Sequence, residues 1–285
     1  MTRRSKPSRR RPSAHAHRPG PPLRKRVRRA LPARGRIAAG LLTAVLIGGL
    51  LALINGPWLR VTRVAWAGER YTPATQLQRA LAPLDGTALL TVDASAVAAR
   101  LQRLPAISRA TVETVLPDTV RVNIVEKVAT IVWQTNAVRL LGSADGVLIG
   151  QLALEADLPA DIAALPLVDD RRVASRDLIV GDRIDASALA AALLLSEVEP
   201  AALGSEAVDL EVRLTDADGF LLVSHEPGWE ADFGFYPDAD YGASGALAER
   251  IEAQVTAIRT FFAFEGEGTV TWVDARDPRR VYWRP

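Results

Sequence analysis

The longest apolar feature of the chain runs over residues 37–59, where no charged side chain occurs, and residues 37–54 are almost wholly apolar. Twenty-three helical residues at about 1.5 Å each reach roughly 35 Å, enough for a hydrocarbon layer of about 30 Å. A cleaved secretory signal has a shorter apolar core, about 7–15 residues, and a small-x-small cleavage site. Here the run closes on Ile54-Asn55-Gly56-Pro57-Trp58 without such a site, which predicts an uncleaved signal anchor with Trp58 as an aromatic-belt residue at the far interface. Gly40, Ala44, Gly48 and Ala52 recur at one-turn spacing. They form either a helix-contact ridge or a chance alignment in a span rich in small residues.

Beyond the span the pattern changes period. Val64 and Trp66 alternate with Arg63 and Ala65 up to Gly68, a half-buried strand. Thr72-Pro73 reads as a helix cap followed by Pro, with Leu77, Leu81 and Leu84 on one face. Asp93 caps a second helix whose stripe is Val97, Leu101 and Leu104, and Pro105 ends it. Strands over 107–116 and 119–126 follow, the second with Val120, Val122 and Ile124 on one face. Residues 60–128 thus form a β-α-α-β-β unit in which each helix needs a sheet to cover its stripe.

Residues 129–285 are strand-rich. Asp145-Gly146 and Asp218-Gly219 sit between alternating runs and predict hairpins. Helices are expected over 186–196 and over 244–262, the latter with Leu247, Ile251, Val255, Ile258 and Phe262 in an unbroken stripe. Strands are expected over 269–273 and 279–283. The fold class is therefore α+β: a single transmembrane helix, a β-α-α-β-β domain, and a strand-rich β domain with helices.

Charge sharpens this organisation. Of 35 Lys and Arg, 14 lie in residues 1–36, which hold no acidic residue, leaving 21 basic against 33 acidic beyond, a net of −12. The tail also carries six prolines and no apolar periodicity, so residues 1–36 read as a disordered basic segment. Such a tail could hold nucleic acid through counterion release, or be a solvated segment on the inner face of a membrane. The span behind it favours the second reading, with no nucleic acid expected. The basic excess before the span, including Arg34 and Arg36 at the membrane interface, puts the N-terminus in the cytoplasm and the rest outside it.

Candidate chemistry is sparse. With no Cys there are no disulfides, thiolate sites or Cys nucleophiles. Ser224-His225-Glu226 places triad residue types side by side, whereas triad members converge from separate segments. Asp216-Ala217-Asp218-Gly219 lacks a calcium-loop carboxylate at Leu214 and reads as a turn. No phosphate-binding glycine motif occurs, so no cofactor, metal or small-molecule substrate is expected. Glu226, Glu230, Asp232, Asp238 and Asp240 make an acidic stretch, a solvated face in one reading and paired carboxylates of a cell-wall enzyme in the alternative.

The remaining class of function is protein–protein contact. A terminal strand at a sheet edge offers unpaired backbone groups to a partner strand, and nearby aromatics supply anchors. Trp272, Tyr282 and Trp283 are clustered there. Trp272, in period two with Val270, points to the core, whereas Tyr282 and Trp283 either close the core or face a partner.

The order of these elements, behind a lone anchor and a basic tail, resembles the FtsQ/DivIB family of bacterial cell-division proteins. The residues carrying the resemblance in the first domain, a POTRA domain, are Val64-Ala65-Trp66-Ala67-Gly68, Leu104-Pro105-Ala106-Ile107 and Pro117-Asp118-Thr119-Val120. Glu126-Lys127 stands where the family often has Glu-Arg-Pro, and the Pro is missing. In the β domain they are Asp232-Phe233-Gly234, Trp272-Val273-Asp274-Ala275-Arg276 and residues 279–285. An aromatic that can follow the Asp-x-Arg segment is here Asp277. The resemblance implies a non-enzymatic divisome scaffold in the bacterial inner membrane at the division septum. It would bind small coiled-coil partners of the FtsB and FtsL type and help control septal cell-wall synthesis. The partner-binding residues it implies are Trp272, Asp274, Arg276, Val281, Tyr282 and Trp283. POTRA domains also occur in outer-membrane assembly modules, but repeated units and a barrel do not fit in 285 residues.

Overall fold

The computed structural model describes residues 33–237 and 246–285; the basic tail up to residue 32, and Asp238 and Asp240, lie outside them. The chain divides into two units after Ala52. Helix α1 (Ala33–Asn55) begins four residues before the predicted start of the span at 37, so the last four residues of the basic segment are helical. It stops at Asn55, short of the predicted end at 59, because Gly56-Pro57 breaks it and a 3₁₀ turn follows over Pro57–Leu59. Every described side chain from 37 to 52 is exposed. Among the described residues no helix is long and apolar enough to cross a membrane, side chains 53–55 not being among them.

In the second unit, β1 (Arg63–Ala67), α2 (Ala74–Leu81), α3 (Ala94–Leu101), β2 (Ile107–Val115) and β3 (Thr119–Glu126) follow one another. Their sheet has the order β1-β3-β2, with β1 parallel and β2 antiparallel to β3. Leu77 and Leu81 of α2 and Val97 and Leu101 of α3 close on Val120, Val122 and Ile124. Asp93 caps α3, accepting the N–H groups of Ser95 and Ala96 at 2.9 and 3.1 Å. Thr72 is not a cap. Its N–H goes instead to Glu126 at 2.9 Å, and α2 starts from Pro73.

The larger sheet has nine strands in the order β12-β11-β10-β9-β8-β7-β4-β5-β6. They are β4 (Ala129–Thr135), β5 (Val138–Ser143), β6 (Leu148–Ala153), β7 (Leu167–Asp170), β8 (Glu211–Thr215), β9 (Gly219–Ser224), β10 (Trp229–Gly234), β11 (Trp272–Asp274) and β12 (Tyr282–Arg284). Both predicted hairpins form, β5–β6 and β8–β9. The pairs β4–β7, β7–β8 and β10–β11 are parallel. A parallel pair needs a crossover, supplied for the last two by α5 (Ala186–Ser196) and α6 (Ala246–Glu265). Strands β11 and β12 begin three residues later than expected, β11 because a 3₁₀ turn over Glu267–Thr269 follows α6, and β12 because a turn closed by the Arg280 N–H on the Asp277 carbonyl precedes it.

The two faces of this sheet differ. On one, Leu189, Leu195, Ile251, Ile258 and Phe262 of α5 and α6 bury Trp133, Leu214, Leu222, Phe233 and Val273. On the other, Val132, Leu141 and Ile149 pack with Ile162 of the short helix α4 (Ala160–Ala163) and with Ala106. Further along that face the register sets Asp169, Arg213, Leu221, Asp232 and Asp274 in one row. Within α6, Gln254 is fully buried beside the apolar stripe; it donates to the carbonyls of Phe233 and Ala275 at 2.8 and 3.0 Å and accepts the Tyr236 hydroxyl at 2.6 Å.

Glu126 fixes the 70–72 segment at the junction between the two sheets. Its carboxylate accepts three consecutive N–H groups, from Arg70, Tyr71 and Thr72, at 2.9, 2.6 and 2.9 Å. Lys127 pairs with Asp145 at 2.9 Å, Arg70 with Asp161, and the Tyr71 ring packs over Gly150.

Candidate functional site

Strand β12 is the outer edge of the large sheet, and among the described residues no strand pairs with its far side. Its orientation follows from the bonds behind it. Thr271 gives its carbonyl to the Glu230 N–H at 3.1 Å, and the Ala275 N–H goes to the Asp232 carbonyl at 3.0 Å. Alternation then turns Trp272 and Asp274 toward β12, where they pair with Arg284 and Tyr282. The backbone N–H and C=O of Trp283 are left on the open side, where a further strand can add.

The side chains follow the two faces of the sheet. Val281 packs against the helix-side core, and Trp283, 40% exposed, rests on Phe261 of α6 at a ring-centroid distance of 5.8 Å. Phe261 in turn meets Phe262, which packs edge-on against Trp229. Tyr282 is 58% exposed. Beside Val281 an open groove of about 900 Å³ runs along α6, lined by Glu252, Thr256, Thr260, Phe261 and Phe264 among others. Phe264 is 85% exposed. It was not among the residues singled out by sequence, because it lies off the apolar stripe that marks α6 as a core helix.

Trp272 is not a core residue. The strand starts only at Trp272, so period two does not continue from the buried Val270, and Val273 takes the core position. Trp272 lies half-buried on the opposite face, under the Arg284 guanidinium at 4.4 Å, and donates its indole N–H to Asp232 at 3.2 Å. Asp274 and Arg276 form a two-pronged ion pair, Nε to Oδ1 at 2.9 Å and Nη2 to Oδ2 at 2.5 Å. Arg276 holds the Asp274 carboxyl below the usual carboxylate range, while burial, reinforced by Asp218, pushes Asp232 up to about 7. Of the interface residues, Trp58 is 76% exposed, and the side chains of Arg34 and Arg36 lie outside the described residues.

The described residues of the catalytic alternatives do not come together. Ser224 Oγ is buried without a hydrogen-bond partner, and His225 meets Glu211 at 3.0 Å in place of its sequence neighbours. Glu230 is engaged by Arg213 at 2.7 Å. Asp216 accepts the Val173 N–H at 2.7 Å, as a turn residue does. Among the described residues no three His, Asp or Glu side chains come together as metal ligands.

Two comparisons bear on this arrangement. Residues 59–127 match the family model of the POTRA domain, FtsQ-type. Over 259 residues, 88% of this chain and 84% of the relative, the sequence is 27% identical to Cell division protein FtsQ of Chloroflexus aurantiacus.

Proposed function

We propose that this chain, which belongs to the FtsQ/DivIB family of bacterial cell-division proteins, is a membrane-anchored, non-enzymatic scaffold of the division machinery. Its β domain takes a partner strand along β12, and its POTRA domain makes further contacts with division proteins. The partners are small coiled-coil proteins of the FtsB and FtsL type, and their docking helps control septal cell-wall synthesis. The observation that carries this reading is the open side of β12, where among the described residues no strand pairs with the Trp283 backbone, and Tyr282, Trp283 and Phe264 stand exposed. Main-chain bonds would supply affinity, and the aromatics and the groove along α6 would supply specificity. Residues 37–59 anchor the chain in the inner membrane as a single-pass span, with 14 basic residues before it on the cytoplasmic side. Residues 1–36, 60–128 and 129–285 are the tail, POTRA domain and β domain.

The test is capture of an FtsB–FtsL-type pair by the full chain in lipid nanodiscs, against a truncation before Arg279. The truncated chain is expected to keep its circular dichroism and lose its partner. Retained capture by a folded truncation would overturn the reading. Turnover of cell-wall fragments by the wild type, abolished by Asp238→Ala, would favour the enzyme instead.

A further inference from the structure

Strands β10 and β11 lie side by side, and their register sets Asp232 directly beside Asp274. The two carboxylates have different surroundings. Asp274 is satisfied by Arg276 through both oxygens. Asp232 is wholly buried, with Oδ2 on the Trp272 indole N–H at 3.2 Å and Oδ1 without a hydrogen-bond partner.

Among the described residues, the charged groups bearing on Asp232 are Asp218 from the β8–β9 turn, Asp274 from β11, and Arg276 just beyond it. Glu230, two residues back on the same strand, is paired with Arg213. Two of the three groups add negative charge, and the third is already committed to Asp274. An ionised carboxylate here lacks the donors that would offset its lost hydration. A neutral carboxylic acid needs no counter-charge, and its O–H adds a donor. A divalent cation fits poorly, since three ligand groups do not converge.

We propose that Asp232 is a proton-operated latch beneath β11 and β12, closed while its carboxyl carries a proton and loosened once the proton leaves. The same burial and acidic neighbours that leave it without a counter-charge place its titration near neutrality. Strand β11 has only three residues, and Asp232 holds it at its first residue and just past its last: its carboxyl accepts the Trp272 indole N–H, and its carbonyl accepts the Ala275 N–H. A charge forming there acts on the seam that carries the β12 edge. The consequence for partner docking rests on the scaffold reading above, whereas the latch itself does not.

The test is hydrogen–deuterium exchange of the full chain in detergent micelles without any partner, corrected for intrinsic exchange. A failure of the docking reading therefore leaves the measurement untouched. Between about pH 6 and about pH 8, amides of residues 271–284 should lose protection by up to about ten-fold per pH unit, the limit for one proton. Amides of β3 should stay constant. In Asp232→Asn the edge should remain protected throughout. In Asp218→Asn, which keeps the latch but removes an acidic neighbour, the loss should begin at lower pH. Flat protection in the wild type, loss persisting in a folded Asp232→Asn, or an unmoved midpoint in Asp218→Asn would overturn the proposal. So would protection at the upper pH restored by added calcium or zinc ions, which would make the site a cation ligand.

Discussion

Trp133 and Asp170, on the adjacent parallel strands β4 and β7, are joined by a hydrogen bond of 2.9 Å from the indole Nε1 to a carboxylate oxygen, and both side chains are sealed from water. The same carboxylate takes both prongs of Arg172, at 2.9 and 2.7 Å. One buried charge thus fastens two strands whose sequences are well separated. Removing one member of a buried pair leaves the other uncompensated, at a cost of about 3–5 kcal/mol. Asp170→Ala should lower the denaturant midpoint of the β domain accordingly, read by tryptophan fluorescence. Asp170→Asn, which keeps an acceptor, should lose less.

Glu126 supports the junction in a comparable way, with one carboxylate on three N–H groups. Hydrogen bonds to a charged group contribute about 1.5–3 kcal/mol each and are not additive here, since the three share one acceptor. Glu126→Ala is expected to open the 68–73 segment to limited proteolysis before the core of either sheet is cut. Glu126→Gln should show an intermediate rate.

A glycine pair fixes the turn into β9. Gly219 has φ +76, and a Cβ there would lie 2.3 Å from the Gly234 carbonyl oxygen. Gly219→Ala therefore combines a left-handed backbone with a clash against main chain, and should destabilise by at least about 1–3 kcal/mol. Differential scanning calorimetry would read this as a lowered Tm. Gly86→Ala, with a similar φ but open space around it, should cost less.

Acid should loosen the entry to the POTRA domain. Donors from Arg63, Thr62 and Thr119 hold the Asp118 carboxyl down to about 2. A depressed folded pKa means that this contribution is complete above the unfolded value, about 3.9, and is lost as pH falls toward the folded value. The wild-type stability curve should therefore fall between about pH 4 and about pH 2. Asp118→Asn should flatten that limb, measured by thermal melts across the acid range.

Exposed aromatics at the β12 edge separate stability from binding. Tyr282 and Phe264 are 58% and 85% exposed, so Tyr282→Ala and Phe264→Ala should each change stability by no more than about 0.5 kcal/mol. If they anchor a partner strand, each should weaken its capture by about ten-fold or more. Calorimetric binding to the coiled-coil pair, beside a melt of each variant, measures both quantities.

The local elements of the fold were legible because their periodicity is. Val120, Val122 and Ile124 alternate cleanly, Asp93 announces α3, and Asp145-Gly146 and Asp218-Gly219 announce their hairpins. The parallel pairs were not, since nothing local to 129–135 or 167–170 states that they adjoin. Strand β9, read as an alternating run after Asp218-Gly219, is instead buried at every position, because both faces of the sheet are covered there. Gln254 sits beside the apolar stripe as a polar residue whose partners, Phe233, Ala275 and Tyr236, come from elsewhere in the chain. At the edge, Tyr282 and Trp283 were visible as a cluster, but their opposite faces were set by where β11 starts. Trp272 was misplaced for that same reason.

Nine strands in one hydrogen-bonded order have a consequence for occupancy. Eight steps of about 4.8 Å separate β6, beside the Glu126 junction, from β12 by roughly 38 Å along the sheet. A strand added at β12 lengthens the sheet away from the POTRA domain, so the two ends do not compete for space. If the proposed partners dock at β12 and on the POTRA domain, a single copy can hold both at once, and removing one leaves the footprint of the other intact.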